Sequence, residues 1–261
     1  MRLTIARFSS APLVLALLAF AAGGAAAQTL ETETARLLPA RWWKLGSAFE
    51  FQTSAEGTEA AMPLAVEYGL TDNLELLVEP VPYTAIRPKV GRHAIGRGDV
   101  EATLTLRFRQ ESPAGPALAV AGEVKFPTAR DSLIGSGEPD YSGYLIASKR
   151  LGRLDTHLNV AYTIVGRQDA VRLNNIASFA VAGVYRPNAR LQLFGEVLGN
   201  TAALPGAESA GSGAPEVAGG ELVGTLGAGR EIGSGLLLYV AVSYDNNSAV
   251  LLRPGVTWRF H

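Results

Sequence analysis

From Asp99 to Arg109 every second residue is polar or charged (Asp99, Glu101, Thr103, Thr105, Arg107, Arg109), and every residue between them is apolar: Val100, Ala102, Leu104, Leu106 and Phe108. A period of two at this purity specifies an extended strand with two unlike faces. Leu154 to Ile164 repeats it, with Leu154, Leu158, Val160, Tyr162 and Ile164 opposing Asp155, His157, Asn159 and Thr163. The last segment opposes Val250, Leu252, Val256, Trp258 and Phe260 to Arg253, Thr257 and Arg259. The same template gives twelve segments, starting near Trp42, Ala61, Leu74, Gly98, Pro116, Asp140, Leu154, Asn174, Arg190, Glu216, Leu236 and Ala249. All but the shorter third supply the roughly 9 to 11 residues of a tilted membrane strand. The sixth and tenth, rich in Gly and Ala, have the least defined registers.

Residues 1–27 read as a secretory signal peptide. Arg2 and Arg7 precede an apolar run from Ala11 to Ala22, and Ala25, Ala26 and Ala27 form a small-residue cleavage site. Residues 28–41 are then an N-terminal periplasmic segment and 42–261 the main domain. No later stretch is apolar and unbroken enough for a spanning helix. An exported chain of this kind is periplasmic, secreted or an outer-membrane barrel. A chain without cysteine has no disulfide, thiolate metal site or thiol nucleophile. A net charge of -1 leaves no footprint for nucleic acid. Three scattered histidines and no phosphate-binding loop point to no metal and no cofactor.

The connections sort by length. Thr71 to Asn73, Gln110 to Gly115, Arg150 to Arg153, Arg186 to Ala189 and Glu231 to Gly235 are tight turns. Longer links fall between them: Gln52 to Ala60, Pro80 to Arg97, Pro127 to Pro139, Gly166 to Leu173 and Thr201 to Pro215. Only the last link, Asn246 to Ser248, is short where a long one is due. This alternation fits an antiparallel up-and-down transmembrane β-barrel of about 12 strands in the bacterial outer membrane. Trp42, Trp43, Trp258, Phe260, Tyr68, Phe108 and Tyr185 would gather at one rim. Phe49, Phe51, Phe126, Tyr141, Tyr144, Tyr162 and Tyr244 would gather at the other, as two interfacial belts. The rival all-β reading is a periplasmic sandwich, which needs a second apolar face to cover the first.

Charges facing lipid cost several kcal/mol each, so the polar faces belong inside. The expected lumen residues are Lys44, Glu50, Glu67, Glu75, Glu79, Asp99, Glu101, Arg107, Arg109, Glu123, Lys125, Asp155, His157, Asn159, Gln192, Glu196, Asp245, Arg253 and Arg259. They either pair into ladders that fill a narrow pore, or make an acidic lumen that disfavours anions. In the loop Pro80 to Arg97, Arg87, Lys89, Arg92, His93 and Arg97 either fold inward as a constriction or lie outward against lipopolysaccharide phosphates. Outer-membrane lipid is the expected surrounding medium.

Several segments resemble a known family: Gly96-Arg97-Gly98-Asp99 entering a strand, Val124-Lys125-Phe126-Pro127-Thr128, Gly135-Ser136-Gly137-Glu138-Pro139-Asp140, and His157-Leu158-Asn159-Val160-Ala161-Tyr162. They are similar to outer-membrane transporters grouped with the meta-pathway of phenol degradation, over most of Tyr68 to Phe260. The resemblance implies a channel or transporter for small aromatic or hydrophobic solutes by passive diffusion. The closing Val256 to Phe260 resembles the aromatic-ended strand recognised by the barrel assembly machinery, although His261 follows the phenylalanine. Two alternatives stand beside the channel. One is a closed structural or adhesive barrel acting through its outer loops. The other is a lipid hydrolase, for which His157 and Asn159 are the nearest candidates, with no serine two positions away on either side. The expectation is that the protein is not an enzyme.

Overall fold

A computed structural model describes residues 31–166, 173–203 and 220–261. The signal-peptide reading, most of the links Gly166 to Leu173 and Thr201 to Pro215, and the tenth segment's expected start at Glu216 lie outside these residues. The described chain forms sixteen strand segments in one antiparallel sheet. β1 (Trp43–Ala48) and β16 (Val250–Phe260) pair from Trp43↔Phe260 to Ala48↔Gly255, which closes the sheet on itself.

Twelve staves result, because the first four are each broken once. β1 continues as β2 (Glu50–Thr53), β3 (Gly57–Met62) as β4 (Leu64–Thr71), β5 (Leu74–Pro80) as β6 (Tyr83–Pro88), and β7 (Ala94–Gly96) as β8 (Val100–Arg109). The remaining staves are β9 (Ala117–Phe126), β10 (Asp140–Leu151), β11 (Leu154–Ile164), β12 (Ile176–Tyr185), β13 (Leu191–Asn200), β14 (Leu222–Ile232), β15 (Leu236–Asp245) and β16. Proline explains much of the interruption, since it cannot donate to the ladder. Pro63 separates β3 from β4, Pro82 lies between β5 and β6, and Pro254 stands opposite the break at Phe49, whose N–H it accepts at 2.9 Å.

The two faces part as the alternation requires. Leu104, Leu106, Leu145, Leu158, Val160, Val181, Val197, Leu226, Val242 and Leu252 are exposed on the outside. Thr103, Thr105, Ser148, Asp155, His157, Asn159, Gln192, Glu196, Thr225, Ser243 and Thr257 are buried inside. In water this inversion would be untenable; in a bilayer it is what the solvent demands. Aromatics flank the apolar band. Trp43 packs on Tyr68 and Trp258 on Phe260 at the turn end, where Trp42 also meets His261. Phe49, Phe51, Phe126, Tyr141, Tyr162 and Tyr244 are exposed toward the loop end.

Two expectations need correction. Tyr144 is not in the outer belt: an even position on β10 faces inward, and its hydroxyl donates to Glu123 at 3.1 Å. β6 and β7 prolong the wall as a hairpin that carries Arg87, Lys89, Arg92 and His93. Residues 31–40, expected in the periplasm as part of 28–41, lie inside the barrel, as described below. The short link at Asn246 to Ser248 is real: Asp245 accepts the N–H groups of Asn247 and Ala249, and β16 at once meets β2.

On the inner wall near the turn end, Phe194 packs on Val184, Ala241 and Tyr239. Glycines make the room. A Cβ at Gly227 would lie 2.2 Å from the Phe194 ring, and one at Gly255 would lie 2.3 Å from the Tyr239 ring. Gly227→Val should therefore cost about 1–3 kcal/mol through overpacking, read as a lower denaturant midpoint of the folded form. Adding Phe194→Leu should restore part of it. An unchanged midpoint for Gly227→Val would refute this packing.

Outside, the β6–β7 hairpin is clamped to the loop before β10. Arg92 donates two hydrogen bonds to Asp131, at 2.7 and 2.6 Å, and Arg97 donates to the Thr128 carbonyl at 2.9 Å. The Arg92 hydrogen bonds, with the Leu133 N–H, hold the Asp131 carboxyl down at about 2 from an ordinary 3.8. A depressed value means the clamp contributes fully above 3.8 and is lost as pH falls through about 2. Amide exchange in residues 129–135, corrected for intrinsic rates, should thus be flat from neutral pH to about 4 and accelerate below. Arg92→Ala should accelerate it throughout. A rise already at mildly acidic pH would contradict the clamp.

Candidate functional site in the barrel lumen

Along β9 and β12, and at Ala161 of β11, the inward residues are mostly small. Ala117, Ala119, Ala121, Ala161, Ala180 and Ala182 are all buried, so these strands do not fill the interior with their own side chains. The N-terminal segment does. Arg41 adopts a left-handed φ of 67° and donates to the Gly69 carbonyl at 2.7 Å, turning the chain from the wall into the lumen. Gly69 lets it pass, since a Cβ there would stand 2.2 Å from the Pro39 carbonyl oxygen.

From that rim the segment climbs in extended form, and the wall accepts its backbone. Ala40 N–H donates to Asp72 at 3.0 Å, Leu38 N–H to Glu75 at 2.6 Å, Ala35 N–H to Ser148 at 2.9 Å, Glu33 N–H to Asn159 at 2.6 Å and Glu31 N–H to Glu196 at 3.1 Å. Asn159 returns a bond to the Glu33 carbonyl at 2.9 Å. Ala35, 0% exposed, sits on the shelf of Ala117, Ala119, Ala121 and Ile146. Side chains add to the hold: Thr32 Oγ1 donates to Glu196 at 2.6 Å, Arg36 reaches Asp155 at 3.1 Å and also Glu111, and Glu31 pairs with Arg253. Beyond Glu31 a cavity of about 380 Å³ opens, bordered by Tyr144, Ser178, Asp245 and Arg253.

Ion pairs and hydrogen bonds tie many of these side chains together across the inner wall. Lys44 pairs with Glu67 at 2.8 Å, Arg253 with Glu50 at 2.7 Å and Lys125 with Asp140. Asp155, fully buried, takes Arg150 at 2.8 Å and Arg186 at 2.6 Å besides Arg36. Glu123 accepts from Thr103 at 3.1 Å, and Glu79 and Glu101 share its wall. Others sit at the ends. Asp99 accepts the Ala129 N–H at 2.8 Å on the loop side. Arg107 grips the Asp72–Asn73 turn, Arg109 packs on Gly115, and Arg259 lies 5.6 Å from the Trp42 ring. Arg87, Lys89 and His93 are exposed on the outer hairpin.

Sequence reading missed the serine beside His157. Ser148 stands directly across the β10–β11 ladder, with Oγ 2.9 Å from His157 Nδ1; a search two positions along one strand cannot see a cross-strand neighbour. The pair is not an assembled triad. Asp155 is committed to three arginines, and the Ser148 hydroxyl also accepts the Ala35 N–H. Among the described residues no cluster suits a metal ion.

No protein-family model matches the chain, and no curated protein does. Solved structures do. An outer membrane channel from Pseudomonas putida F1 is 13% identical, with a TM-score of 0.66 over 89% of this chain and 100% of that one. The NanC porin is 11% identical, with a TM-score of 0.61 over 82% and 98%. The KdgM porin in complex with disordered oligogalacturonate is 12% identical, with a TM-score of 0.57 over 84% and 99%. At these identities the likeness is one of fold. Closed sheet, lipid-facing exterior and polar lumen define a bacterial outer-membrane β-barrel.

Proposed function

We propose that the protein is a passive channel for small solutes, closed in this structure by its own N-terminal segment. The observation that supports it is the small-residue lining: a barrel sealed for good packs its interior with strand side chains, whereas this one leaves a passage wide enough for an extended chain. Glu67, Glu75, Glu79, Glu101 and Glu123 on neighbouring staves give one wall an acidic face, which favours cations and neutral solutes over anions. The inward patch of Phe194, Tyr239 and Val184 supports passage of aromatic or hydrophobic solutes. That agrees with the resemblance to phenol-pathway transporters.

The test is reconstituted flux of small phenols, sugars and salts through the wild-type chain and through Glu31→Ala/Thr32→Ala/Arg36→Ala, which frees the segment and leaves the wall intact. Flux of phenols above that of sugars of similar size is expected in the freed chain. Silence toward every solute in both folded proteins would end the channel reading. In the freed chain Glu101→Lys should lower the preference for cations, measured as a shift of reversal potential in a salt gradient; an unmoved potential would remove the acidic wall from the account of selectivity.

A further inference from the structure

We infer that the lumen carries a binding track for extended peptides, occupied here by residues 31–40. The inference rests on the reading of the lumen as a solute path and names a ligand class for it. The wall reads the resident segment mainly through its backbone. Five N–H groups are accepted by five side chains from separate places on the barrel: Asp72, Glu75, Ser148, Asn159 and Glu196. Asn159 takes both the N–H and the carbonyl of Glu33, the double contact that an amide side chain makes with a peptide unit. Backbone contacts do not depend on the identity of the side chains carried by the guest.

Two features restrict the guest. At the position of Ala35 the shelf of Ala117, Ala119, Ala121 and Ile146 leaves no exposed surface on the resident methyl, so only a small side chain fits there. The track's acceptors include Glu75, Glu196 and Asp72, while Lys44, Lys125 and Arg186 are engaged by wall carboxylates. The resident segment carries Glu31, Glu33 and Arg36, with Glu31 on Arg253 and Arg36 on Asp155, so the track selects charge by position: an acid suits the first place and a base the sixth.

The probe is a fluorescent, end-blocked peptide with the sequence of residues 31–40, added to the detergent-solubilised Glu31→Ala/Thr32→Ala/Arg36→Ala chain and followed by anisotropy. Saturable binding is expected. Methylation of the peptide nitrogens corresponding to residues 33, 35 and 38 should weaken it by about tenfold for each N–H removed, and Asn159→Ala or Glu75→Ala in the barrel should weaken it similarly. A peptide with glutamate first, alanine fifth and arginine sixth should compete, and one with those two charges exchanged should not. Absence of binding, or equal binding of the methylated peptide, would overturn the proposal. The readout does not depend on conductance, so a channel that conducts salts yet ignores the peptide refutes the track alone. A chain that binds the peptide yet passes no solute refutes the channel alone.

Discussion

In planar bilayers the Glu31→Ala/Thr32→Ala/Arg36→Ala chain should conduct for a far larger share of the time than the wild type. The three changes remove a buried hydroxyl–carboxylate bond at 2.6 Å, a guanidinium shared by Asp155 and Glu111, and the Glu31–Arg253 pair. A hydrogen bond to a charged group contributes about 1.5–3 kcal/mol, and partly exposed ion pairs less. A combined loss near 3 kcal/mol shifts the ratio of vacated to occupied lumen by about a hundredfold. The wall keeps Asp155 satisfied through Arg150 and Arg186, so the barrel itself should survive. A folded triple variant with the wild-type open share would show that these contacts do not hold the lumen shut.

The second large effect concerns the outer face. Leu158 is 47% exposed on β11, and Ser178 on the adjacent β12 points inward beside the cavity. Leu158→Arg should cost about 2–4 kcal/mol if Leu158 lies near the bilayer midplane, measured as a shift in the urea midpoint of folding into liposomes. Ser178→Arg should cost far less, because it adds charge to a watered lumen. Equal penalties for the two would mean that lipid does not face the apolar side.

Much of this was legible because lipid makes the pattern strict. Along β8 and β11 a one-residue slip would turn Glu101, Arg107, Arg109, Asp155 and His157 outward, so parity assigns them, with Asn159, to the inner face. The turns at Thr71 to Asn73 and Arg186 to Ala189 carried their own residue chemistry. Tyr144 shows where attention to rims overrode parity: Tyr141 and Tyr144 are an odd number of positions apart and cannot share a face. Residues 31–40 have no period and pair with no strand, and their partners are 32 to 165 positions away in sequence, so nothing local announced a chain held inside the barrel. The one available signal was the excess of alanine at inward positions of β9 and β12, which is space waiting for an occupant.

Because the natural chain has no cysteine, a pair introduced by Ala35→Cys and Ala119→Cys reports on that occupant without background. In outer-membrane vesicles a short thiol-to-thiol linker should join the two sites in folded, heat-modifiable protein, and a membrane-impermeant maleimide should label position 35 slowly. Full labelling at position 35 with no cross-link, in protein that still migrates as the folded barrel, would place the segment outside the lumen.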